Sequence, residues 1–419
     1  MLDGFLTGQE YCASGILRVT TNFQLTQGYM LIPISPSDFL ETYWQRRPLF
    51  VPDAIKNVMP ALSADELAWL ATLPDVESRL VLTERDGDEV SYRLLHGPFA
   101  ESDLQSLPEK DWTLLVQDVD KHLPDFRDWF ARVNFIPDWR IDDLMISFAA
   151  PGGSVGPHQD NYDVFLCQGD GQRHWSVGSP GNMQLDEAST ELSLLLPFAA
   201  TESHKAAPGD VLYLPPGVPH WGVATDFCTT YSIGFRAPTK SELIAGAGRV
   251  LRPDEESELA CGNDVFYKDP DLQAAEANGG QLSRRTIERV REQRLLETSL
   301  SDDEIALVFG SVVTDPKAWL MPEPVEKSWL EDILPGNVDV SVHGMARIAW
   351  YDGDSTRFFF ANGLAKAVPP GCIDFIRQLC AVRVVNSSAI RHLCAAEGGR
   401  DFMDWLCAQG ILDAGHDAE

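Results

Sequence analysis

The stretch GPHQDNYDVF (156–165) places an imidazole and a carboxylate, His158 and Asp160, two positions apart at the head of an apolar run. On a strand, residues i and i+2 point to the same face. The reading therefore puts both side chains, and Tyr162 after them, on one side, with Gln159 on the other. An aspartate buried without a partner is costly, more so if it stays ionised. A buried pair of this kind calls for something cationic between its members, and an imidazole with a carboxylate makes two ligands of a transition-metal site. Taken alone the pair is a weak signal. With nine histidines in so acidic a chain, roughly one His-x-Asp/Glu arises by chance, the false-positive risk of any short motif.

A third residue sharpens the signal. The stretch GDVLYLPPGVPHWGVA (209–224) runs from a strand through a proline-stiffened turn to His220 at the head of another strand. Proline fixes φ and cannot donate to a sheet, so the turn delivers His220 in a held orientation. In an antiparallel barrel the return strand lies beside the first. Two histidines and one carboxylate then occupy one triangular face of a metal and leave three positions open, the arrangement of non-haem Fe(II) oxygenases. Zinc more often takes a fourth protein ligand or stays four-coordinate with water. A bidentate 2-oxo acid fills two of the open positions and dioxygen the third. A 2-oxo diacid needs a cation at its far end, and GQRHWSVG (171–178) supplies Arg173, whose guanidinium forks onto carboxylates. Ser147 in LMISFAA (144–150) shares a face with Asp143 and Met145, so its hydroxyl is a candidate for the same carboxylate. His174 alternates to the outer face and is read as a non-ligand.

The elements that must position these groups follow from the flanking pattern. Ser35 caps a helix with Pro36 in its first turn, and Ser63 caps a second. The run SRLVLTERDGDEVSYRLLHGPF alternates around Asp86-Gly87 as a hairpin. WTLLVQDVDKHLPDFRDWFARV reads as strand-to-helix or as one amphipathic helix. Between about Arg140 and Arg236, short β-rich runs punctuated by glycine and proline predict a sandwich or barrel. Residues 239–320 switch to helical periodicity, of the kind that packs on a neighbour or a second subunit. The last ninety or so residues read as three strands beside helices, a winged-helix-like module.

Composition narrows the partners. The net charge is −30 over 419 residues, which opposes nucleic-acid binding and favours solubility or a basic protein partner. The terminal module carries 8 Lys and Arg against 12 Asp and Glu between 327 and 419, so it reads as a protein-contact or packing unit, not a DNA-binding one. Eight cysteines without a C-x-x-C pair fit a reducing, cytoplasmic setting. No run approaches a membrane span and no secretory signal opens the chain. Met30 stands just before the first structural signal, leaving Met1 and Met30 as alternative starts.

With these residues in view, DWRIDDLMISFAAPGGSVGPHQDNYDVFLCQGDGQRHWSVG, GDVLYLPPGVPHWG and YSIGFRAP resemble the JmjC/cupin-fold 2-oxoglutarate oxygenases, and within them the bacterial ribosomal oxygenases, which hydroxylate an arginine of large-subunit ribosomal protein L-sixteen. The similarity extends to FLETYWQRRPLFV and covers nearly everything after about residue 30; the C-terminal third matches in pattern only. The resemblance implies Fe(II) on His158, Asp160 and His220, and 2-oxoglutarate on Ser147 and Arg173, with O2 as the second cosubstrate. It implies a mainly β fold with α: a double-stranded β-helix, a helical dimerisation region and a C-terminal winged-helix-like domain. The boundaries expected are 1–28 as an extension, 29–238 for the JmjC/cupin domain, 239–325 for the helical region of a homodimer, and 326–419 for the last module. A guanidinium substrate calls for acidic and aromatic company, for which Asp143, Tyr162 and Asp163 are the candidates; Asp163 is the weakest because alternation points it outward. Two other readings stay open: an oxygenase of this fold acting on histidine, asparagine or lysine, and a non-catalytic cupin-like binding protein.

Overall fold

The computed structural model describes residues 30–413 apart from 88, 182–183, 187–191, 197 and 253–263. The proposed extension 1–28 and the first candidate start thus lie outside the described residues.

Among the described residues, eleven strands build the first part of the chain: β1 (Leu49–Val51), β2 (Ser78–Asp86), β3 (Glu89–His96), β4 (Trp112–Val116), β5 (Ile141–Ala149), β6 (Val164–Gln168), β7 (Arg173–Val177), β8 (Glu202–Ala206), β9 (Val211–Leu214), β10 (His220–Ala224) and β11 (Cys228–Phe235). They form two antiparallel sheets, one in the order β1-β9-β6-β11-β5-β4-β2-β3 and a smaller one in the order β10-β7-β8. Local chemistry explains the punctuation. Ser35 accepts the Asp38 N–H at the start of helix Pro36–Thr42, and Ser63 makes a reciprocal capping box with Glu66 before helix Ala64–Leu70. Gly87 turns the β2–β3 hairpin at φ 62°. The stretch from Trp112 to Val133 resolves as strand β4, the helical turn Val119–His122 and a 3₁₀ helix from Pro124.

The middle of the large sheet, β9-β6-β11-β5-β4, is buried on both faces. Its outer face holds the main apolar core, including Leu144, Ile146, Phe165, Tyr213, Tyr231 and Ile233, against the N-terminal helices. Its inner face meets the small sheet: Val164, Leu166 and Leu212 pack with Trp175 and Val177, and Ala149 and Cys228 pack with Ala224.

Helices Lys240–Leu251, Arg284–Glu292 and Asp302–Val313 follow. Eight of the twelve residues of Asp302–Val313 are buried, because it packs both on its fellow helices and on the strands beyond. Those strands are β12 (Asp339–Val342), β13 (Ile348–Asp352), β14 (Arg357–Ala361), β15 (Leu364–Ala367), β16 (Val384–Asn386) and β17 (Leu412–Asp413), in two three-stranded sheets, β16-β12-β17 and β13-β14-β15. The helices thus share a core with Ala349, Tyr351 and Phe360 of the terminal sheet. Among the described residues no helix is long and apolar enough to cross a membrane.

Candidate metal centre

The structure corrects the strand expected over 156–165. His158 and Asp160 lie on the loop that leads into β6, which begins only at Val164. Their shared direction comes instead from a single antiparallel bridge between His158 and His220: the His158 N–H donates to His220 O at 3.0 Å and the His220 N–H to His158 O at 2.8 Å. The Gly217 N–H donates to Asp160 O at 2.8 Å, tying the PPGVP turn to the same loop. Gly156, at φ 83°, makes this approach possible. A Cβ there would sit 2.7 Å from Leu194 and 3.0 Å from the Tyr92 ring.

The three side chains converge. One ligand atom from each of His158, Asp160 and His220 lies within 4.8 Å of the others. His220 Nε2 is 3.6 Å and His158 Nε2 4.0 Å from Asp160 Oδ2, and the two imidazole centroids are 4.2 Å apart. Both Nδ1 atoms are 3.0 Å from backbone carbonyls, of Gly156 for His158 and of Val218 for His220. A carbonyl only accepts, so each Nδ1 carries a proton, and it is the Nε2 of each ring that lies on the side of Asp160, free to offer its lone pair when the ring is neutral. That is how a metal-ligating histidine is oriented. Burial, then the neighbouring His158, pushes His220 down to about 4, so it is neutral and ready to coordinate. Two imidazoles and one carboxylate, with no fourth histidine, cysteine or acid in the described cluster, fit a metal that keeps open positions.

Register puts Arg173 and Ser147 on the facing inner sides of the two sheets. Residues directly opposite in a sheet share a face. His220 pairs with Val177 and Ala224 with Arg173, so Arg173 lies on the same face of the small sheet as His220. On the large sheet Ser147 pairs with Thr230, and the next same-face pair, Ala149 and Cys228, packs on Ala224. Arg173 is 3% exposed, yet its Nε and Nη2 have no hydrogen-bond partner among the described residues. Its neighbours are the Trp175 ring, 5.7 Å from the guanidinium carbon, and the Cys228 thiol, which burial raises and Arg173 draws back. A buried guanidinium left unpaired is costly, so this pocket is built for an anion. The far carboxylate of 2-oxoglutarate fits it. The Oγ1 atoms of Thr230 and Thr113 are likewise buried without partners. Sequence reasoning missed both threonines: their place opposite β5 follows from strand register, which no local pattern encodes.

The substrate candidates separate. Asp143 is 8% exposed on the inner face of β5, opposite Gly234, and its Oδ2 accepts the Asp118 N–H at 3.1 Å. Burial, then Asp118 and Asp142, pushes it up to about 7. Tyr162 is 43% exposed, and its phenol is held well above its ordinary range by Asp160, burial and Asp143. Asp163 departs from the expectation. It points away from the metal cluster but into the core: fully buried, it accepts from Tyr213 Oη at 2.5 Å, Gln45 Nε2 at 2.9 Å and Arg140 Nη2 at 3.2 Å. Those bonds occupy its carboxylate, so it belongs to packing. His174 is exposed and bonds Ser203, away from the centre.

Comparison with known proteins agrees with this geometry. Residues 129–243, which span all three converging side chains, match the JmjC domain model. The chain is 40% identical over 296 residues to the ribosomal protein uL16 3-hydroxylase of Escherichia coli, covering 70% of this chain and 75% of that protein. It belongs to the ribosomal oxygenase family. A probable ribosomal oxygenase of Haemophilus influenzae is 36% identical over 294 residues, covering 67% of this chain and 68% of the relative. Among solved structures, the E. coli ribosomal oxygenase YcfD in complex with cobalt and 2-oxoglutarate superposes with a TM-score of 0.67 at 31% identity, over 92% of this chain and 99% of that one. A further YcfD structure gives a TM-score of 0.70 over 91% and 98%. The double-stranded β-helix of the JmjC/cupin oxygenases is therefore the fold of this ribosomal oxygenase, and its converging triad lies within the matched domain.

Proposed function

We propose that this ribosomal oxygenase is an Fe(II)- and 2-oxoglutarate-dependent hydroxylase of an arginine in ribosomal protein uL16. The observation that carries the reading is the triad: two Nε2 lone pairs and a carboxylate turned onto one point, both imidazoles held by backbone carbonyls. His158, Asp160 and His220 would hold the iron. Arg173 and Ser147 would bind 2-oxoglutarate, with Thr230 beside them. Bound iron and 2-oxoglutarate supply the oxidising power, using O2 to convert an unactivated C–H to C–OH while the 2-oxo acid becomes succinate and CO2. The chain's own work is to place the target, to close the site and to match the charge of an arginine. Asp143 and Tyr162 suit that task, a carboxylate for the guanidinium and an aromatic face for stacking. The net charge of −30 complements a basic ribosomal protein.

The same reading covers the remaining architecture. Residues 29–238 form the catalytic domain, 239–325 the dimerisation region, and 326–419 a winged-helix-like module that serves protein contact or packing, not DNA binding. The setting is cytoplasmic, where the described cysteines stay as free thiols. The test is direct. The purified chain is incubated with iron, 2-oxoglutarate, O2 and recombinant uL16, and the substrate is mapped by mass spectrometry. One added oxygen on an arginine is expected. Addition to histidine, asparagine or lysine replaces the substrate assignment, and no addition removes the hydroxylase reading.

A further inference from the structure

The start of β5 is held by an unusual number of charged groups, and they come from distant parts of the chain. Asp118 sits at φ 55°, ψ 30°, a left-handed conformation that costs a non-glycine residue energy and persists only where the surroundings enforce it. The conformation aims its N–H at the Asp143 carboxylate, 3.1 Å away. The same turn grips the residues on either side: Lys121 Nζ donates to Asp142 O at 2.8 Å, and Asp120 Oδ1 accepts the Leu144 N–H at 2.9 Å. Three consecutive residues of the strand, 142 to 144, are thus fixed by one turn.

The turn is in turn fixed from outside the barrel. The Asp118 carboxylate is almost wholly buried and accepts from Lys121 Nζ at 2.7 Å on one oxygen and from Lys317 Nζ at 2.6 Å on the other. Lys317 follows the helix Asp302–Val313, and it also reaches Glu77 Oε2 at 3.1 Å. Lys121 is already shared with Asp120 and the Asp142 carbonyl. Without Lys317, the buried Asp118 carboxylate keeps only Lys121, which Asp120 and the Asp142 carbonyl already share, and its second oxygen loses its donor while its own backbone N–H lies against the like-charged Asp143. Two outcomes then compete, and both harm Asp143. Either Asp118 swings out and its N–H leaves the Asp143 carboxylate, or it stays and repels it.

Resting on the proposal that Asp143 receives the substrate guanidinium, we propose that Lys317 is a positioning residue for substrate. By neutralising Asp118 it keeps the turn in its left-handed form and the Asp143 carboxylate aimed and charged for a cationic side chain. Substrate recognition in the barrel thereby depends on a segment outside it.

The test is binding without turnover. Under nitrogen, with Fe(II) and 2-oxoglutarate present, a labelled uL16 peptide is titrated into wild type, Lys317→Met and Lys317→Arg. A second peptide carries citrulline, the neutral isostere, in place of the target arginine. Wild type should favour the arginine peptide. Lys317→Met should weaken that peptide roughly tenfold, the scale expected of a coupling residue that touches no ligand, and leave the citrulline peptide unchanged. Lys317→Arg should restore the preference. Equal loss for both peptides assigns Lys317 a merely structural role and overturns the inference, as does a Lys317→Met chain that discriminates like wild type. A wild type that does not distinguish the two peptides overturns the guanidinium-docking reading itself.

Discussion

At the scale of single residues, the chemistry of the site reduces to unsatisfied valence. The Nε2 atoms of His158 and His220 converge on one carboxylate, and Arg173 is buried with two of its nitrogens unpartnered among the described residues. Groups so arranged are stabilised by ligands more than by their neighbours. Removing Arg173 should therefore have opposite effects with and without cosubstrate. In the ligand-free protein, Arg173→Met replaces a buried unpaired charge with a methionine and should raise stability by about 1–3 kcal/mol. The same change should abolish the thermal shift that 2-oxoglutarate gives wild type and raise KM for 2-oxoglutarate by roughly a hundredfold. Differential scanning fluorimetry with and without the 2-oxo acid, alongside a decarboxylation assay, checks both. A destabilised variant that keeps the shift would place the diacid elsewhere. His158, Asp160 and His220 were legible in the sequence because their types, and the rigid PPGVP turn before His220, carry the signal. Asp163 was not, because alternation tells which way a side chain turns but not whether solvent or a buried arginine awaits it.

At the scale of elements, the precision of the centre depends on loop geometry more than on strands. His158 owes its place to Gly156 and to one pair of backbone hydrogen bonds with His220. Gly156→Ala should strain a φ of 83° and press on Leu194 and Tyr92, costing about 1–3 kcal/mol. It should also weaken Fe(II) binding, because the Gly156 carbonyl orients the His158 ring. Chemical denaturation and anaerobic iron titration report the two effects, and normal iron affinity in a destabilised variant would separate the loop from the ligand. The elements visible in the sequence were those with local causes: the caps at Ser35 and Ser63 and the hairpin at Gly87. The order of strands was not. β1 pairs with β9 and β11 lies between β5 and β6, pairings across long stretches of chain that only the shared inner face dictates. For the same reason Thr230 and Thr113 escaped notice until register placed them on the inner face with Ser147.

At the scale of the molecule, charge joins what the sequence reads as separate parts. Arg140, at the foot of β5, is fully buried with Nη2 3.2 Å from both Asp163 of the barrel and Asp269 of the segment that follows it. Arg140→Met would leave two buried carboxylates without their cation and should cost about 3–5 kcal/mol near neutral pH. The dependence on pH has a definite sign. Burial pushes Asp163 up to about 6 even with Arg140 present. Its folded value lies above the unfolded one, so the folded chain binds the extra proton between about pH 4 and 6 and stability falls as pH rises through that window. Without the arginine the window must extend upward. The variant should accordingly recover part of its loss at pH 5 relative to pH 8 in urea melts, and a loss equal at both values would remove Asp163 from the account.

The central claim is that three side chains, brought together by one bridge between loop and strand, hold a single metal and leave half its coordination sphere free. Anaerobic titration of Fe(II) into wild type and into His158→Ala, Asp160→Ala and His220→Ala tests it most directly. One ion per chain is expected for wild type, with affinity lost in each variant. Undiminished binding in any of the three would contradict it.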